Sequence, residues 1–153
     1  MSKAFTKEDD AAQEADLPDR AISPHPNLVT AEGLAQIEDA MARLTEEQGR
    51  ARKGGDVTAA ANAGRELRYW SARRATAQLT EPKPSSQVQF GSRVTIRKAD
   101  GSTRVFRIVG TDEGDPRRGT LSYASPLARA LMGKEFGDTV VVAGHEEEII
   151  EVS

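Results

Sequence analysis

Apolar residues at Leu34, Ile37, Met41 and Leu44 recur at steps of three and four, and the spacing runs on through Gln48 and Ala51 before stopping at Lys53-Gly54-Gly55-Asp56. A stripe this narrow on a 3.6-residue helix is a seam for a second helix. Thr30 stands in front of it as an N-cap, the paired glycines end it cheaply, and Asp56 can cap its successor. Beyond the break Ala60, Ala63, Leu67, Trp70, Arg74 and Ala77 keep the same spacing, which predicts a second helix over residues 57–79. Two helices joined so tightly should lie antiparallel. Each arm of about 23 residues would be on the order of 35 Å long. A hairpin so thin should lean on the rest of the chain at its open end, with Trp70 as anchor.

The residues in front of the hairpin look different. Residues 1–20 carry six acids against three bases, and Pro18, Pro24 and Pro26 interrupt any periodicity, so residues 1–26 read as a mobile acidic tail. The hairpin itself, residues 27–80, is basic in its middle, with Arg50, Arg52, Lys53, Arg65 and Arg68 flanking the break. Such a run is either a solvated helix face or a surface for something anionic.

After the hairpin, residues 81–87 hold two prolines and two serines and read as a flexible linker. The period then changes to two. FGSRVTIRK alternates around Val94 and Ile96, TRVFRIVG around Phe106 and Ile108, and ADGS between them supplies an Asp-Gly turn, predicting a β-hairpin. LSYA, TVVVAG and EEIIEVS add three short strands. TVVV lacks alternation and reads as buried, while Glu146-Glu147-Glu148 reads as a turn entering an exposed strand edge. One helix is expected in this region: Ser125 caps it, Pro126 opens it, Leu127, Ala130 and Leu131 share a face, and Gly133 ends it. The fold class is therefore α+β, a helical hairpin followed by a small antiparallel β domain over residues 88–153.

Chemistry is sparse. The chain has 153 residues, no cysteine and two histidines, His25 and His145, which leaves little for a zinc site. No apolar run approaches the roughly 20 residues of a membrane span, and no signal peptide opens the chain, so the cytosol is the expected location. Gly133-Lys134 follows a helix and precedes Glu135, whereas a phosphate loop needs an earlier glycine, a Ser or Thr after the lysine, and a helix starting there. Asp112, Glu113 and Asp115 are either a weak divalent-ion loop or ordinary polar residues, and they lack the Ca²⁺-loop spacing. The residues offer no active site of the chain's own.

Three strings carry a resemblance: NLVTAEGLAQIEDAMARL, FGSRVTIRKADGSTRVFRIVGTDEGD and SPLARALMGKEFGDTVVV. Together, from about Asn27 to Ser153, the chain resembles the Gre family (GreA and GreB) of bacterial transcript-cleavage factors. That resemblance implies an antiparallel coiled coil and an FKBP-like C-terminal domain. It implies RNA polymerase as the partner of a monomer, with a docking surface at Ser125, Pro126, Leu127 and Arg129 on the rim of the secondary channel. The coiled coil would enter the channel, bringing its tip, Gly55 and Asp56, and the basic flank near nascent RNA.

In the family, tip acids help hold a catalytic Mg²⁺, so that the polymerase's own active site cleaves backtracked RNA; the factor is not itself an enzyme. Here Asp56 matches the first acid, but the place three residues on is Ala59. The arms are also about two turns shorter than the family's, roughly 11 Å less reach. Shortened relatives, such as the regulator of nucleoside diphosphate kinase, suggest an alternative: a non-catalytic, channel-binding regulator of transcription. A third reading, a peptidyl-prolyl isomerase, rests on the FKBP-like fold alone, and Phe90, Phe106, Tyr123 and Phe136 are few aromatics for such a pocket.

Overall fold

The computed structural model describes residues 18–153, so most of the expected acidic tail lies outside the described residues. The described chain forms two compact units. One holds residues 18–24 with Ala35–Thr76, and the other holds His25–Leu34 with Ala77–Ser153. The α+β class expected from the change of period is what is found. No helix among the described residues is long and apolar enough to cross a membrane.

The first unit is the helical hairpin. Helix α1 spans Ala31–Lys53 and α2 spans Val57–Thr76. Thr30 caps α1 as expected, its Oγ1 accepting the Gly33 N–H at 3.0 Å. The seam read from spacing is the covered stripe of α1, with Ile37 and Leu44 buried and Leu34, Met41, Gln48 and Ala51 half-buried; Ala40, which the spacing left out, is buried as well. Glu38 near the start of α1 accepts from Arg74 near the end of α2 at 3.0 Å, as antiparallel arms require. Burying an Ile or Leu side chain contributes about 1.5–3 kcal/mol, so Ile37 and Leu44 do most of what holds the arms together.

Helix α2 departs from expectation in two ways. It ends at Thr76, three residues early, because Gln78–Leu79 forms a short strand, β2, parallel to β1 at Leu28–Val29. Its buried residues are Ala63, Gly64, Tyr69 and Arg73, while Trp70 is only half-buried. Tyr69 and Arg73 lie four apart, one turn, and share a stripe about 100° from the one predicted through Trp70 and Arg74. Their long side chains have apolar stems that pack while the polar ends find partners. Residues 18–20 are not a free tail either; they lie against α2 through contacts described below.

The second unit is built on a five-stranded sheet. Strands β3 (Arg93–Arg97), β4 (Thr103–Val109), β5 (Thr120–Ser122), β6 (Thr139–Val142) and β7 (His145–Val152) are ordered β5-β4-β3-β7-β6. The predicted hairpin is β3 and β4, with Val94 opposite Phe106. The β4–β5 pairing is parallel, with Ile108 opposite Leu121, so the sheet is mixed where an antiparallel one was expected. Its covered face carries Val94, Ile96, Phe106, Ile108, Leu121, Val140 and Ile149, packed beneath Ala128 and Leu131 of helix α3, Pro126–Leu131.

Two strand readings need correction. β6 is an edge strand, and it alternates: Val140 is buried while Val141 is 63% exposed. Three valines in a row hid the alternation because residue type alone does not tell the two faces apart. Glu146-Glu147-Glu148 is not a turn at an exposed edge but lies within β7, which is paired on both sides. The turn falls at Ala143-Gly144, both with positive φ. Strand parity then points Glu147 to the face of Ile149, where it is buried, and sends Glu148 to the other face, where it pairs with Arg97 at 2.8 Å.

The segment expected as a flexible linker is exposed along all of residues 81–87, but it is tied down at three points. Pro82 covers Gly91, where an added Cβ would come within 2.8 Å of the proline ring and φ is +87°. Gln89 donates its side-chain amide to the Lys83 carbonyl, and Ser86 donates to Glu135 at 3.3 Å. Prolines had suggested a spacer, but a proline ring is also a rigid apolar plate when a glycine leaves room for it.

Candidate functional site: the hairpin tip and the Ser-Pro helix

The tip is a helix stop and a helix start sharing one residue. Gly55 has φ +69°, the left-handed conformation that lets the chain leave α1. The Gly55 N–H donates to Arg52 O at 3.2 Å and the Asp56 N–H to Ala51 O at 2.9 Å, the paired bonds of a glycine-terminated helix. Asp56 then starts α2, its Oδ1 accepting the Ala59 N–H at 3.0 Å. One carboxylate oxygen is thus committed to the fold. The residue three places on, where a second acid would sit, supplies only its backbone N–H.

The tip bears on metal binding directly. Among the described residues no group of three or more His, Cys, Asp or Glu is gathered that could hold a metal ion. Asp56 alone, exposed and half-used as a cap, does not fit a resident Mg²⁺ site. The loop Asp112-Glu113-Gly114-Asp115 is no cation site either, because its carboxylates are bound elsewhere. Asp115 accepts the Arg117 N–H at 3.1 Å. Glu113 Oε2 accepts the N–H groups of Thr30 at 3.1 Å and Gly110 at 2.9 Å, and its Oε1 accepts the Thr30 hydroxyl.

Glu113 is thereby a positioning residue that spacing did not reveal. Within the second unit it holds Thr30 and the first turn of α1 to the loop after β4, and at Gly33 an added Cβ would come within 2.1 Å of the Glu113 carboxyl, which would have to shift. Glu32 adds to the same anchor by pairing with Arg107 at 3.4 Å. Its carboxyl is held below the usual range, first by a hydrogen bond from its own backbone N–H and then by Arg107.

The basic flank does not form one patch. Arg52 and Arg68 line a groove of about 450 Å³ together with Gln48, Asp56 and the small residues Ala60 and Gly64. Arg50 lines a second groove with Glu47, Ala59 and Glu66. Arg65 is half-buried and donates to the Pro18 carbonyl at 2.8 Å. A helix period spreads positions 50, 52 and 53 around the axis, so closeness in sequence did not mean a common face.

The Ser-Pro helix is more rigid. Ser125 Oγ accepts the Ala128 N–H at 3.3 Å, and Pro126 opens the helix. Ala128 and Leu131 are completely buried. The buried face is therefore Ala128 and Leu131, with Leu127 half-buried at its margin, and Ala130 points out, correcting the expected face. Pro126 and Arg129 are exposed and Ser125 is partly so. The following turn adds two exposed apolar side chains that the sequence reading did not join to this surface, Met132 at 38% and Phe136 at 72%. Phe136, set between Glu135 and Gly137, carried a signal in the sequence; Met132, between Leu131 and Gly133, carried none.

Comparison with known proteins now bears on both features. Residues 83–153 match the family described as "Transcription elongation factor, GreA/GreB, C-term". A transcription elongation factor GreA of Desulfovibrio desulfuricans is 32% identical over 134 residues, covering 74% of this chain and 83% of that protein. The chain belongs to the GreA/GreB family. A GreA of Legionella pneumophila is 48% identical over a shorter stretch of 73 residues, 44% of this chain and 46% of that protein. Among solved structures, GreA factor homolog 1 of Thermus thermophilus aligns with a TM-score of 0.40 at 16% identity, covering 84% of this chain and 99% of that one. As a GreA/GreB factor the chain is a transcription elongation factor by descent. The Ser-Pro helix lies inside the matched family region, and the tip lies before it.

Proposed function

We propose that this factor binds RNA polymerase at the secondary channel in the cytosol, as a monomer, and acts on paused or backtracked elongation complexes by occupying the channel. Ser125, Pro126, Leu127 and Arg129 form the docking surface, extended by Met132 and Phe136, and the hairpin enters with its tip toward nascent RNA. The observation that carries the non-catalytic part of this reading is the tip: one carboxylate, already engaged by the Ala59 N–H. A Mg²⁺ taking part in RNA cleavage would belong to the polymerase, and two acids clamp such an ion far better than one exposed acid.

The test is a transcript-cleavage assay on a backtracked complex with purified factor. RNA should shorten at the polymerase's own rate whether the factor is present or absent, while pause duration changes. A second reading, stimulation of cleavage, is favoured by one observation, the exposure of Asp56 at the very tip. Faster cleavage that disappears in Asp56→Ala would establish that reading instead. Docking is separable: Arg129→Glu, at an exposed position that leaves the core-packed Leu127 in place, should reduce co-elution with core polymerase, and unchanged co-elution would remove this surface from the proposal.

A further inference from the structure

Part of the basic flank is covered by the chain's own N-terminal segment. Arg65 Nε donates to the Pro18 carbonyl at 2.8 Å, and Arg68 Nε donates to the Asp19 carboxylate at 2.8 Å. One residue on, the polarity reverses. Arg20 donates to Glu66 at 2.7 Å, and its guanidinium lies 3.8 Å from the centre of the Tyr69 ring. Three consecutive residues thus meet four residues of a single stretch of α2. Pro18 and Asp19 offer oxygen acceptors to two arginines, while Arg20 fixes the register by gripping a carboxylate and a π face.

An oxygen acceptor bearing negative charge is also what a nucleic-acid backbone presents to arginine. Each Nε–H can serve one such partner at a time. From Glu8 to Asp16 the only charged residues ahead of the contact are acids, Glu14 and Asp16 among them. The contact is weak enough to exchange, because Arg68 and Asp19 are 55% and 63% exposed and exposed ion pairs contribute little each. A strand bringing several phosphates together gains from counterion release, which three tethered residues cannot match.

We propose that residues 18–20 form a displaceable strap over α2, which holds Arg65 and Arg68 until single-stranded RNA competes it away. The proposal rests on the reading that nascent RNA meets this hairpin. It makes RNA engagement a competition, so that the factor ignores isolated anions and responds where several phosphates arrive together.

The sharpest variant is Arg20→Gln in the full chain, titrated with a labelled single-stranded RNA oligonucleotide at low and at physiological ionic strength. The substitution removes a positive charge, so simple electrostatics predicts weaker binding. The strap predicts tighter binding, by about three- to tenfold, the scale of losing one or two exposed contacts. Asp19→Asn should shift affinity the same way with the Arg20 grip intact. Both gains should vanish when Arg65→Gln and Arg68→Gln are also present. The strap is overturned if Arg20→Gln binds RNA no tighter than the wild type, if no variant binds RNA, or if the gain survives loss of both α2 arginines. Co-elution with polymerase, measured on the same proteins, reports separately on docking; its loss in the wild type would overturn the docking reading and leave the RNA result to judge the strap.

Discussion

The hairpin tip and the Ser-Pro helix use the same local grammar and differ in what lies beneath it. Each has an acceptor side chain at a helix start, Asp56 or Ser125, bonded to a backbone N–H three residues on. Beneath Ser125 the helix buries Ala128 and Leu131 completely. Around Asp56 residues 52–59 are all exposed. Identical capping therefore gives a surface fixed to a core in one place and a surface held only by its own backbone in the other. In the proposed function, the docking face would use the first kind, while a tip entering a channel would need slenderness and could do without a core.

The largest expected effect separates the two by burial. Leu131→Ala should cost about 2–5 kcal/mol as a buried large-to-small change, lowering the denaturation midpoint and weakening polymerase binding; a loss below about 1 kcal/mol would mean that the helix is not held from beneath. Next come the caps. Ser125→Ala and Asp56→Ala should each cost about 1 kcal/mol in urea denaturation, and a far smaller loss at Asp56 would show that the tip bond does not hold in solution. Asp56→Ser should restore the cap to within a few tenths of a kcal/mol while removing the carboxylate, so any transcriptional effect it retains belongs to charge and not to folding. Smallest is Val57→Ala, 56% exposed at the tip, where denaturation should move by less than about 0.5 kcal/mol.

Most of the fold was legible because its signals are local. The α1 seam, the Thr30 and Asp56 caps, the Asp100-Gly101 turn and the alternation of β3 and β4 each depend on residues within one turn or one strand. The failures share a different cause. The α2 stripe shifted to Tyr69 and Arg73, Pro82 came to rest over Gly91, and Glu147 turned inward, because each depends on a surface contributed from elsewhere in the chain. The same holds for the candidate site: Asp56 and the Ser-Pro helix were readable, whereas Glu113 on Thr30, 83 residues away, and Asp19 on Arg68, 49 away, were not.

The sequence by itself determined the element types, the stop at Gly55, the single acid at the tip and the family to which the chain belongs, because periodicity, caps and residue identity are properties of short segments. Only the tertiary structure decided which arginines face together and which are already engaged. Whether a charge is free depends on what lies within about 3 Å of it, and for Arg65 and Arg68 what lies there comes from Pro18 and Asp19.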